Sequence, residues 1–438
     1  MNFPPSQQLP PTPPTRPNRR KKPLLIGTIA VSWCLIAASA LTIVLNRDSD
    51  DTVLTANDAD SETTAAPAEE TVAAPLADEL EQLENAFAEG DRDAWTALFS
   101  ERSVDRGGRY FDNLTALQAA AVELRTIREV TESGTGHSAE IGLSFCLNPP
   151  DAADCTRTEV SYQTGWVRGG DGLVLDHIMD SFGHYRPHAW EEVELTVAVG
   201  DRAIVAVDAE TGVDPADYLD TAESAAAAAD EFALLAPVDS YLVVLATDDQ
   251  FNTWYGGYDH GISLGYAAST TTDAEKSEIA GPVHVVIPYD RHDTAGIGKT
   301  FRHELGHAAT LQGSDLREAG NEEGWWAMEG IAEYIAVGDT IPADRVSDTA
   351  SLAADGGCAN GIEPLSASDS ATVGSGKYGC AYLGVRYLIE EYGIEAFMDW
   401  FQAVRHRGST AAAASLEHFG TDHAELLAAV GTYIDNAV

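Results

Sequence analysis

From Leu24 to Leu45 the chain carries no charged residue, and no other feature restricts its layout as much. A run of that length is long enough to cross a bilayer as one helix. Arg16, Arg19, Arg20, Lys21 and Lys22 precede it, and Asp48, Asp50 and Asp51 follow it. Basic residues stay on the cytoplasmic side. Residues 1–23 therefore read as a Pro-rich, basic cytoplasmic tail, residues 24–45 as a transmembrane helix, and the remainder as extracytoplasmic. A cleaved signal peptide is the competing reading, because Ala38-Ser39-Ala40 has the small-x-small form of a cleavage site. The run continues through Leu41, Ile43, Val44 and Leu45, which is long for a signal's apolar core and favours an uncleaved anchor. Cys34 follows the bulky Trp33 and does not fit a lipid-attachment site.

Beyond the anchor, composition narrows the partners. The formal net charge is -44 over 438 residues. So acidic a surface repels phosphate backbones and argues against a nucleic-acid partner. Apolar residues are 44% of the chain, enough for a sizeable core. Residues 46–75 are rich in Asp, Glu, Thr, Ala and Pro and read as a disordered acidic linker. The remaining cysteines fall into two locally spaced pairs, with no C-x-x-C spacing to suggest a metal site. In an oxidising compartment they are expected to form disulfides, Cys146 with Cys155 and Cys358 with Cys380.

Order begins near Leu76. Leu80, Leu83, Phe87, Trp95, Leu98 and Phe99 recur at helical spacing, broken at Gly90-Asp91, and a second helix is expected over about Asn113–Arg128. The period then changes to two: 139–146, 159–167 and 173–181 read as strands, with Gly169-Gly170-Asp171-Gly172 turning the last two. A break falls near His184–Trp190. After it, 193–199 and 202–207 read as a strand pair, 215–233 as an Ala-rich helix, and 241–246 and 283–288 as β-branched strands. The rest, apart from 339–376, reads as mostly helical. The chain is thus expected to be α+β, with residues 76–187 and 188–438 as two units that each bury their own core. A chain starting near His188 is then expected to fold alone.

The strongest motif is His303-Glu304-Leu305-Gly306-His307. Residues four apart share one helix face, so both imidazoles can reach one ion, and Glu304 lies beside them as a general base. Downstream stands Trp326-x-x-Glu329-Gly330-x-Ala332-Glu333-Tyr334. This resembles the W-x-x-E-G-x-A-E-Y helix of gluzincins, the thermolysin-like H-E-x-x-H zinc metallopeptidases whose third ligand is a Glu on a following helix. The resemblance covers residues 188–438. It implies one Zn2+ per chain held by His303, His307 and Glu329, with a coordination position left open. It also implies that Glu333 orients a ligand imidazole. Tyr378-Gly-Cys-Ala381 looks like the Y-x-x-G segment of aminopeptidase-type members, with Ala381 in place of Gly. There the Tyr hydroxyl steadies the oxyanion, a role that passes to Tyr378, although Tyr382 lies one turn on. His284–Pro288 is expected to be the edge strand that pairs with extended substrate. His284 itself reads as structural. The exopeptidase signature G-x-M-E-N is absent, and the His307-to-Glu329 spacing is longer than in the best-known members, an inserted loop over 313–324 absorbing it.

The sequence Glu84–Phe99 and the order of elements around it resemble the NTF2-like family over residues 76–187. That resemblance implies a spacer or binding module. The expected activity is therefore that of a membrane-anchored zinc peptidase acting on peptides or proteins. The alternatives are an inactive peptidase-like protein that binds ligand through the NTF2-like unit, and an envelope protein that uses zinc only for stability. The latter would normally close its metal with four protein ligands.

Overall fold

The computed structural model describes residues 73–438, apart from 134–135, 180–185, 258–263, 274–277, 315–321, 359–361 and isolated positions. The apolar run 24–45 and nearly all of the linker lie outside the described residues. Among the described residues, no helix is long and apolar enough to cross a membrane.

The first part runs α1 (Ala73–Glu89), α2 (Arg92–Ala97), α3 (Val104–Ala116), β1 (Ala119–Thr126), β2 (Thr131–Ser133), β3 (Gly136–Leu147), β4 (Arg157–Arg168) and β5 (Leu173–Met179). The strands form an antiparallel sheet in the order β1-β3-β4-β5, with β2 also paired to β3. α1 begins inside the stretch read as linker. The helix expected over 113–128 is a correction: α3 ends at Ala116, Gln118 adopts a left-handed φ of 53°, and the following residues pair with β3. Ala119-Ala120-Ala121 has high helix propensity, but a ladder partner outweighs it. Cys146 and Cys155 are bonded and close the β3–β4 connection.

The second part adds α4 (Ala189–Glu192), β6 (Leu195–Val199), β7 (Ala203–Asp208), α5 (Ala216–Asp230), β8 (Tyr241–Ala246), α6 (Asp248–Phe251), β9 (Tyr266–Ser269), β10 (Thr272–Asp273), β11 (Glu278–Ile279) and β12 (Val283–Pro288). Helices follow: α7 (Thr294–Leu311), α8 (Glu322–Val337), α9 (Ala343–Ala354), α10 (Ala371–Tyr392), α11 (Ile394–Arg405), α12 (Ala411–Phe419) and α13 (His423–Ala437). Helices and strands are mixed throughout, as expected for α+β, but the sheet here is not a simple meander. Its order is β6-β7-β8-β12-β9, with β7, β8 and β12 parallel and both edges antiparallel. α5 is the crossover that parallel β7 and β8 require.

Two expectations fail here. His284–Pro288 is an internal strand, because β9 pairs along its outer side, so the edge is β9. The stretch 339–376, read as non-helical, contains α9 and the start of α10.

Strand parity explains how the two parts join. Side chains alternate across a sheet. In β7, β8 and β12 the odd residues, among them Val205, Val243, Leu245, Val285 and Ile287, share a core with α5, α7 and α8. The even residues Ile204, Ala206, Leu242, Val244 and Val286 pack instead with Leu143, Phe145, Val160 and Tyr162 of the first sheet. That sheet's apolar residues are divided: Ala139, Ile141, Trp166, Leu173 and Leu175 lie under α1–α3, and Leu143, Phe145, Leu147, Val160 and Tyr162 lie under the second sheet. One of the three apolar clusters therefore crosses the expected boundary. Each unit also has a cluster of its own, one under α1–α3 and one around α5, α7 and α8, and the shared cluster joins the two at the seam.

Candidate metal centre

α7 runs across the odd-numbered face of the second sheet. Ile297, Phe301, Leu305 and Ala308 recur at helical spacing and are buried against it. His303 and His307 leave the same helix one turn apart and face α8, which brings Glu329 and Glu333 one turn apart in return. All four are buried, as is Glu304. Gly330, in the middle of the α8 motif, has a plain reason to be glycine: a Cβ there would lie 2.4 Å from the Ala381 carbonyl oxygen of α10.

Three donor atoms converge. His303 Nε2 and His307 Nε2 are 3.0 Å apart, and Glu329 Oε2 lies 3.3 Å from each. Three ligands about 2.0–2.1 Å from one ion at tetrahedral angles would stand about 3.3–3.4 Å apart, so the spacing suits a small divalent cation. This buried His303-His307-Glu329 group could hold a metal ion. On the far side of the first imidazole, His303 Nδ1 faces Glu333 Oε1 at 3.1 Å. A proton held on Nδ1 by that carboxylate leaves the Nε2 lone pair facing the other two donors.

The electrostatics agree with a site short of positive charge. Burial alone would depress His303, but the carboxylates of Glu329 and Glu333 outweigh it and raise its pKa to about 9. In His307 burial wins over Glu329 and the pKa is lowered. Burial would raise Glu329, but His307 and His303 hold it below the usual carboxylate range. Burial would raise Glu333 too, yet Arg345 and Lys299 pull it far down. Lys299 Nζ lies 3.3 Å and Arg345 Nη1 2.8 Å from that carboxylate.

The Glu304 side chain lies against the segment that leads into β9. A Cβ on Gly265, next to β9, would lie 2.9 Å from Glu304 Cγ and Oε1 and 2.8 Å from Ile287 Cδ1. Only a bare backbone fits between the carboxylate and the strand. The Tyr378 ring is buried 6.0 Å from the His303 ring and 5.7 Å from Trp325. Tyr382, the residue with which it could be confused, donates to the Gly338 carbonyl at 2.8 Å and stacks on Tyr334. It is a packing residue. Cys358 and Cys380 are bonded, tying the segment after α9 to α10 two residues beyond Tyr378.

His284 takes no part in the centre. It is buried at the seam between the sheets, where Nε2 lies 3.3 Å from Thr158 Oγ1. Sequence reasoning missed Gly265, Lys299 and Arg345. Lys299 precedes His303 by one turn and could have been found by that spacing. Arg345 lies in the segment not recognised as helix.

A scan against models of known protein families finds no match to this chain, and a search of curated proteins finds none either.

Proposed function

We propose that the chain is a zinc metallopeptidase of the gluzincin type, anchored by residues 24–45 with its folded part outside the cytoplasm. In this reading an NTF2-like unit precedes a thermolysin-like unit. The observation that carries the proposal is the convergence of His303, His307 and Glu329 donor atoms at ion-sharing distances, with Glu304 following His303 on the same buried helix. Among the described residues no fourth ligand joins the group. Three protein ligands suit a centre that acts on substrate, whereas a structural zinc is normally closed by four.

Zinc, when bound, supplies the Lewis acid that polarises a peptide carbonyl and makes water a better nucleophile. The chain's residues do the rest. Glu304 accepts a proton from the attacking water and returns it to the departing amine. Its burial against Gly265 keeps the carboxylate at the edge of the sheet. β9 offers that edge to an extended peptide, taking the place expected for His284–Pro288. Glu333 fixes the His303 ring, and Tyr378 is the candidate to steady the developing oxyanion.

Glu304→Gln in the full chain tests this reading. It should keep zinc and the fold while peptide hydrolysis falls about 10²–10⁴-fold, because an amide cannot take the proton. Cleavage of a proteome-derived peptide library at the parent rate would refute the assignment.

A further inference from the structure

We propose that Arg345 is a positioning residue for the metal centre, holding Glu333 and supporting Tyr378 at the same time. This rests on the peptidase reading above and goes beyond it. No motif points to Arg345.

The geometry is a closed ring of four side chains from four helices. His303 of α7 faces Glu333 of α8 at 3.1 Å. Glu333 Oε1 meets Arg345 Nη1 of α9 at 2.8 Å. The Arg345 guanidinium carbon sits 5.2 Å from the centre of the Tyr378 ring of α10. The Tyr378 ring returns to His303 at 6.0 Å. A guanidinium can pair with a carboxylate through its N–H groups and lie against an aromatic face in one pose, which an ammonium cannot do as well. Arg345 is buried, with a side chain only 3% exposed. Burying such a charge is costly, and it is offset here by a partner that itself touches a metal ligand.

The mounting is rigid. Thr349, one turn on, donates to the Arg345 carbonyl at 2.7 Å. A Cβ on Gly379 would fall 1.9 Å from Thr349 Oγ1, so α9 and α10 meet where only glycine fits. The Cys358–Cys380 bond ties the segment just after α9 to α10. The guanidinium thus has little freedom to leave either contact.

Lys299, with a side chain 26% exposed, is a second cation on Glu333, so losing Arg345 weakens the orienting carboxylate without stripping it of charge partners. Removing a group of this kind typically costs metal affinity or activity about 10–100-fold. The test uses full-length parent, Arg345→Met and Arg345→Lys. Zinc affinity is read by chelator competition, kcat and KM by peptide hydrolysis, and folding by thermal unfolding of the metal-free protein. Arg345→Met should bind zinc about tenfold more weakly, with kcat down by a similar or larger factor and KM unchanged. Arg345→Lys should recover most of the zinc affinity, because a charge still faces Glu333, but not the kcat supported through Tyr378. Should Arg345→Met fail to fold, the split between zinc affinity and kcat in Arg345→Lys decides alone. A folded Arg345→Met with parental zinc affinity and kcat, or a lysine variant with both parental or both lost, overturns the proposal. A parent that binds zinc but cleaves no peptide sinks the peptidase reading, leaving the affinity arm to judge Arg345. A parent that binds no zinc sinks both.

Discussion

Two buried clusters in this chain have nearly the same inventory. One, between α7 and α8, holds His303, His307, Glu329, Glu333 and Arg345. The other, at the seam between the sheets, holds His188, His284, Glu191 and Arg186. Glu191 Oε1 accepts from His188 Nδ1 at 2.8 Å, Arg186 Nη2 at 2.6 Å and Tyr162 OH at 3.1 Å. The His188 ring stacks on Trp190 at 4.3 Å. There three donors converge on one carboxylate oxygen, and His284 faces the Thr158 hydroxyl. In the first cluster, two imidazole nitrogens and a carboxylate oxygen converge on one another, an arrangement that could hold a metal ion. The histidine titrations diverge to match. Burial drives His284 down to about 3, whereas the two carboxylates lift His303 to about 9. Residue types alone do not distinguish a site from a structural knot; the direction of their lone pairs does.

The largest test of this contrast removes one side of the seam. A chain beginning at His188 loses Tyr162 and Thr158 and exposes the even-numbered faces of β7, β8 and β12. It should fail to give a soluble, cooperatively folding species. A monomer by size exclusion with a sharp, zinc-responsive melting transition would show the seam to be dispensable.

Substituting one histidine in each cluster separates metal binding from packing. His303→Ala should abolish stoichiometric zinc, and His188→Ala should retain one zinc per folded chain. Metal analysis after dialysis would break the comparison if both lost zinc, or if neither did.

Glu191→Gln should destabilise the chain by about 3–5 kcal/mol, since it leaves the buried Arg186 and His188 without their charge partner. Chemical denaturation measures this, and an unchanged midpoint would mean the seam network contributes little.

A further test concerns pH dependence. His284 has a folded pKa of about 3 against a usual 6.5. Between those values the unfolded chain binds the proton and the folded chain does not, so stability falls as pH drops from about 6.5 toward 3, by at most about 1.4 kcal/mol per unit. His284→Asn should flatten this slope. An identical pH profile in the variant would assign the acid sensitivity elsewhere.

The helix carrying His303 and His307 was legible because helical spacing and residue chemistry coincide there. The internal strands β8 and β12 were legible as apolar runs. The join between the sheets was not, because a strand buried on both faces has no polar face to show which neighbour covers it. β9 has only four residues, Tyr266–Ser269, too few to announce an edge. α9 went unread because Ala343–Ala354 mixes Asp, Ser, Thr and Ala with few large apolar residues. Arg345 was hidden with it.

The double burial of β8 has a further consequence, for register. Where one face of a strand is polar, sliding it by one residue carries a visible penalty. Here Tyr241, Val243 and Leu245 would merely trade places with Leu242, Val244 and Ala246, apolar for apolar. Polar pins at the strand ends must hold the alignment instead. Tyr241 donates its hydroxyl to Asp230 at 2.8 Å, and Asp230 is in turn held by Arg202 at the start of β7. On β12 the corresponding pin is His284, matched to Thr158 across the seam. A slip of one residue would swing the phenol away from Asp230 and the imidazole away from Thr158, so these two polar groups fix an alignment that the apolar residues leave open.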